Sequence, residues 1–98
     1  MGYDSTVNVY DKNNHYIGMI IDDISFRAII DLIKFARERQ VDENEVDYIR
    51  DDIMCKRDVA IDFLNKYERN DDKYDTSIYV CKTIAEIEEI SYFGITSV

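Results

Sequence analysis

The sequence predicts an α+β domain: a small antiparallel sheet, made of an N-terminal β-hairpin and a third strand, packed against two longer helices. The expected order is ββααβα, with a short C-terminal strand as an optional addition. Three observations point there. Residues 6–21 hold two strand-like runs separated by turn formers, the middle of the chain holds apolar residues at helical spacing, and the chain contains no Pro. With 98 residues, of which 46% are hydrophobic, one core can form but two cannot, because each half would bury too little surface to offset its ordering entropy. Residues 1–98 are therefore expected to be a single domain.

Thr6-Val7-Asn8-Val9-Tyr10 alternates as a strand does, Asp11-Lys12-Asn13-Asn14-His15 supplies the turn, and Tyr16-Ile17-Gly18-Met19-Ile20-Ile21 resumes the hairpin. Asn13-Asn14 suits positive φ at the tip, and Gly18 marks a bulge or a close backbone approach. Asp22 and Asp23 then offer an N-cap to a helix from Ile24 to Arg39, whose other end carries Arg37 and Arg39. Arg27, Asp31, Lys34 and Glu38 fall on one solvated, ion-paired stripe, and Ile29, Ile30, Leu32, Ile33, Phe35 and Ala36 face protein.

Asp42 and Glu45 have capping-box spacing, and Val46, Ile49, Ile53, Ala60, Leu64 and Tyr67 keep to one helical face, so a second long helix is expected to run to Glu68. Residues 69–75 read as a polar loop. Thr76–Lys82 alternates weakly and contains Ile78, Tyr79 and Val80, which predicts the third strand. Thr83-Ile84-Ala85-Glu86 opens a short helix that Gly94 ends, and Ile95-Thr96-Ser97-Val98 either adds an edge strand or frays.

Twelve Lys plus Arg against 21 Asp plus Glu give a net charge of −9 and a pI near 4.4, which disfavours direct binding to nucleic acid or to anionic lipid. Met1-Gly2-Tyr3-Asp4 has no basic stretch ahead of an apolar run, and no window approaches the roughly 20 apolar residues of a spanning helix. A cytoplasmic location is expected. Cys55 and Cys81 are too far apart in sequence for a metal knuckle or redox pair and read as buried thiols.

The inventory for catalysis is poor. His15 is the single histidine and lies in a turn, and Gly2, Gly18 and Gly94 are isolated rather than grouped around a phosphate. Asp71-Asp72-Lys73 lacks the preceding strand acid of a metal-dependent nuclease. Asp11-Lys12-Asn13 lacks the sixth-position Gly and twelfth-position Glu of a calcium loop. No enzyme activity, metal or cofactor is expected.

The distribution of acids is more informative than their total. Residues 42–52 hold six acids against Arg50 alone, so five of the nine net charges sit there. On one continuous helix Glu43, Asp47, Asp51, Asp58 and Asp62 would share roughly a third of the circumference, along about 28 Å. Like charges four residues apart cost about 0.2–0.5 kcal/mol per pair, and a row of carboxylates can stand in for phosphates in a Lys/Arg groove. Eight tyrosines add interface anchors, with Tyr48 and Tyr74 beside acidic positions. The candidate binding residues are Glu43, Asp47, Tyr48, Asp51, Asp52, Asp58, Asp62 and Tyr74.

These features predict a non-catalytic acidic inhibitor that blocks a basic surface of a nucleic-acid-handling protein, such as a nuclease. In size, acidity and thiol usage the chain is similar in kind to the anti-CRISPR and anti-restriction proteins of phages and mobile elements, and to immunity proteins and antitoxins. The likeness is one of composition, carried by no aligned motif. The alternative is a homodimeric structural or regulatory subunit, in which a second copy covers an open strand edge or the apolar surplus of the first helix.

Overall fold

A computed structural model describes residues 4–42, 44–46 and 51–97. The hairpin forms as expected, from β1 (Asp4–Tyr10) and β2 (Tyr16–Ser25). Its turn is closed by Asn14 N–H donating to Asp11 O and Asp11 N–H donating to His15 O, both at 2.9 Å. The Asp11 carboxylate accepts the amides of Asn13 and His15 at 2.8 and 2.9 Å, and the His15 amide above all lowers its pKa. Asn14 has φ 63°, the left-handed conformation that Asn tolerates and that closes a type I turn into a hairpin.

The remaining strands are β3 (Ile53–Lys56) and β4 (Tyr92–Ser97), and the sheet runs β2-β1-β4-β3 with every pair antiparallel. Three helices complete the α+β fold: α1 (Ile30–Arg37), α2 (Arg57–Tyr67) and α3 (Asp71–Glu86). Single-turn 3₁₀ segments precede α1 and α3, at Phe26–Ile29 and Glu68–Asn70. Strand alternation divides the sheet into two faces. Val7, Val9, Ile53, Cys55, Phe93 and Ile95 point into the main core, where Leu32, Phe35, Phe63 and Ile84 of the helices meet them. Thr6, Asn8, Tyr10, Met54, Gly94 and Thr96 belong to the opposite face, which is helix-free among the described residues.

The first helix is shorter than its sequence suggests. β2 continues to Ser25, whose Oγ accepts Arg27 N–H at 3.4 Å and so caps the 3₁₀ turn. Asp22 and Asp23 are not the cap. Ser5 pairs with Ile24 and Val7 with Ile21, so these two acids together face Thr6 in a β-bulge, with Asp23 at φ 50°. Thr6 Oγ1 donates to Asp22 Oδ1 at 2.8 Å and accepts Asp23 N–H at 3.3 Å. α1 buries Leu32, Ile33, Phe35 and Ala36 and exposes Lys34, as the spacing requires. The ion-paired stripe does not form, since Glu38 pairs with Arg39, at 3.5 Å, and not with Lys34.

The second helix is where sequence and structure part. Residues 53–56 are strand β3, with Ile53, Met54 and Cys55 buried, and α2 starts only at Arg57. Positions 46, 53 and 60 lie seven apart and satisfy a helical template, but Ile53 and Cys55 pair with Ile95 and Phe93 of β4. Met54 turns to the other face, onto Tyr10 and Val46. Pairing across the sheet outweighs a local helical preference worth only tenths of a kcal/mol per residue.

The converse correction applies to residues 69–82. Neither a loop nor a strand forms there; they belong to the second 3₁₀ turn and to α3. Ser77, Val80, Cys81 and Ile84 are buried at i, i+3, i+4 and i+7, the spacing of a helix face. α3 also takes in Thr83–Glu86, where a separate helix was expected, and its one irregularity is a kink at Tyr74 (φ −114°, ψ 22°). Arg57 closes the far end of α3: its guanidinium donates to the carbonyls of Ala85 and Glu88, groups that a helix terminus leaves unpaired. Gly94 does not terminate a helix but lies inside β4. That strand is central rather than an edge, flanked by β1 and β3.

Candidate functional site

On the helix-free face, the described residues between α1 and β3 rest on the sheet at Val41, Val46 and Asp51. Val41 N–H donates to Met54 O at 2.9 Å, and Val41 and Val46 pack with Tyr10, Met54 and Tyr92 in a second, smaller apolar cluster. The capping-box contact expected of Asp42 and Glu45 forms here within a turn: Glu45 Oε1 accepts Asp42 N–H at 3.3 Å, and Glu45 N–H donates to Asp42 O at 2.9 Å. Glu45 also pairs with Lys56. That contact is the main cause that lowers the carboxyl's pKa and raises the amine's.

Asp51 fixes the other end of this segment. Its carboxylate lies over the sheet and accepts hydrogen bonds from Asn8 Nδ2 at 3.1 Å, from the Tyr10 hydroxyl at 2.6 Å and from the Thr96 hydroxyl. The seat exists because position 94 is glycine. A Cβ there would fall on Asp51 Oδ2, 2.5 Å from its Cγ and 2.8 Å from its Cβ. Asp52 holds the rim, its Oδ2 accepting Ser97 N–H at 2.9 Å.

The eight candidate residues are therefore not one row on one rod. Glu43, Asp47 and Tyr48 lie outside the described residues. Asp51 and Asp52 are tied to the sheet by the bonds just given. Asp58 and Asp62 are exposed on α2, four residues apart. The strand at 53–56 separates these two pairs, so no helix carries the acids from 43 to 62. Tyr74 is half-buried at the kink, its ring 4.6 Å from Tyr67 and 6.3 Å from Phe63 between centroids. It packs within the protein. Tyr79, expected as a sheet residue, is exposed on α3.

What sequence reasoning passed over is the outer part of the same face. Tyr10 pairs with Tyr16 and Asn8 with Met19. Cross-strand partners share a face, so Tyr16 and Met19 stand on the helix-free side, as the edge-on contact of the Tyr10 and Tyr16 rings (6.0 Å) shows directly. Both residues are 53% exposed, with Ile17 beside them at 43%. Asp22 stands on this face as well, held by Thr6. The hairpin pattern was visible in the sequence, but nothing in it says which strand has a neighbour on both sides.

Among the described residues no group of three or more His, Cys, Asp or Glu side chains comes together as a metal site. No helix there is long and apolar enough to cross a membrane. No protein-family model matches this chain, and neither a curated protein nor a solved structure matches it.

Proposed function

We propose that this chain is a non-catalytic, acidic protein-binding inhibitor that covers a basic surface of a nucleic-acid-handling protein. The observation that carries the reading is where Val46 and Asp51 of the most acidic stretch sit. Residues 42–52 contain five of the nine net negative charges, and two residues of that stretch, Val46 and Asp51, rest on the helix-free face of the sheet. Charge concentrated in one stretch of chain steers a cationic partner at long range. A basic groove so occupied excludes its nucleic acid by competition. The phosphate-like row on one long helix is no part of this reading, because β3 interrupts it.

The test is retention of nucleic-acid-binding proteins from a lysate on the immobilised chain. Retention is expected at about 50 mM salt and should fall steeply by about 200 mM, as counterion-driven binding does. The variant Asp42→Asn/Glu43→Gln/Asp47→Asn should lose it while its unfolding midpoint stays unchanged. Undiminished retention by that variant rejects the segment as the contact surface. Loss on Asp58→Asn/Asp62→Asn instead would move the surface to α2.

A further inference from the structure

The exposed apolar group on β2 shares its sheet face with Val46 and Asp51 of the acidic stretch. Tyr16 and Met19 stand on the helix-free face, across from Tyr10 and Asn8, the residues that donate to Asp51. Asp22 closes the patch on the side of Thr6, and Asp23 follows it in the bulge. Among the described residues no Lys, Arg or His lies within ion-pair distance of either acid. An apolar centre with a charged rim is the anatomy of a protein interface, and Tyr and Met are residues that anchor one.

Main-chain pairing along the outer edge of β2 is a poor account of this patch. The register of β2 against β1 slips three times, between Ser5 and Val7, Val7 and Asn8, and Val9 and Tyr10. Bulges of this kind keep a strand edge from being extended. The exposed feature is a set of side chains on a face. A second copy is also disfavoured as occupant, because a two-fold contact sets each patch against itself. That arrangement would bring together the Asp22–Asp23 rims and acidic segments of two chains that each carry −9.

We infer that Tyr16 and Met19 are the apolar anchor of the docking surface, and that their partner is a protein segment that alternates apolar side chains with Lys or Arg. The inference rests on the acidic-inhibitor reading and adds to it where on the face the partner sits and what besides charge it must offer.

The test uses three synthetic twelve-residue peptides and amide chemical-shift mapping on the full chain. One alternates Leu with Lys, the second has Ser in place of Leu, and the third has Glu in place of Lys. The Leu/Lys peptide should shift the amides of residues 16–23 and bind at least tenfold more tightly than the Ser/Lys peptide, and the Leu/Glu peptide should not bind. Met19→Lys should weaken the Leu/Lys peptide at least tenfold without lowering the unfolding midpoint, and Met19→Leu should retain binding. If the Leu/Lys and Ser/Lys peptides bind equally and Met19→Lys changes nothing, the anchor is refuted while the acidic-inhibitor reading stands. If neither cationic peptide binds at millimolar concentration, both fail. Shifts centred on Asp58 and Asp62 of α2 overturn the placement, and concentration-dependent shifts at residues 16–23 without peptide give the patch to a second copy.

Discussion

Replacing Gly94 by Ala asks whether the seat of Asp51 organises the helix-free face. The new methyl would take the place of the Asp51 carboxylate and drive it off the Asn8, Tyr10 and Thr96 donors. Overpacking costs about 1–3 kcal/mol, and a hydrogen bond to a charged group contributes about 1.5–3 kcal/mol. The Tyr10 side chain, 3% exposed as a residue, has little access to water in exchange. Gly94→Ala is therefore expected to cost about 3–5 kcal/mol, a large share of the about 5–15 kcal/mol that holds a domain folded. Asp51→Gly should cost about 3 kcal/mol through the same lost bonds. In that background the methyl at 94 no longer meets the three atoms nearest to it, and Ala in a strand regains about 0.5–1 kcal/mol over Gly. The double variant should thus be no less stable than Asp51→Gly alone, at least about 3 kcal/mol better than the sum of the single changes. Urea unfolding of the four proteins, with slopes compared for two-state behaviour, measures the cycle. Additive costs would refute the direct contact between positions 51 and 94.

Phe63 is fully buried between Phe35 and Tyr67, with ring centroids 5.4 and 4.7 Å away, so Phe63→Ala should cost about 3–5 kcal/mol in urea unfolding. A cost under about 1 kcal/mol would contradict this packing of α1 against α2. Burial pushes the thiols of Cys55 and Cys81 up to about 12. Between pH 9 and 12 the unfolded chain therefore releases protons that the folded one keeps, and stability falls as pH rises, by up to about 1.4 kcal/mol per pH unit for each thiol. Cys55→Ala/Cys81→Ala should flatten that slope in stability measured across the same range, and an unchanged slope would show the thiols to be accessible. The Asp11 pKa is lowered mainly by the His15 amide. Its contribution is present above pH 4 and lost as pH falls through the lowered value, and hydrogen-exchange protection at the hairpin tip, taken relative to the intrinsic rate at each pH, should fall there in the native chain but not in Asp11→Ala.

The hairpin was legible in the sequence because its signals are local. Alternation over residues 6–10 and the positive φ that Asn accepts need no distant partner. The inward face of α1 was legible for the same reason, as was the contact between Asp42 and Glu45, which spans three residues. The acidity of residues 42–52 and the burial of both cysteines also followed from composition and position.

What failed were the assignments at residues 53–56 and 69–82, which depend on partners elsewhere in the chain. Ile53-Met54-Cys55 satisfies a helical spacing and a strand equally well, and β4, some forty residues later, decides for the strand by pairing with it. Thr76–Lys82 has strand formers in its sequence, yet packing of its i, i+3, i+4 face makes it helix. The acids at 51 and 58 look equivalent in the sequence; one is seated in the hollow beside Gly94 and the other faces water.

The sequence by itself thus determined the charge, the hairpin and the α+β class, since each is a property of composition or of neighbours within a few residues. Tertiary structure alone decided which carboxylates are structural, which strand is central and which apolar side chains stay exposed. Short apolar runs are ambiguous between the two periodicities, and only the surface available to bury them selects one.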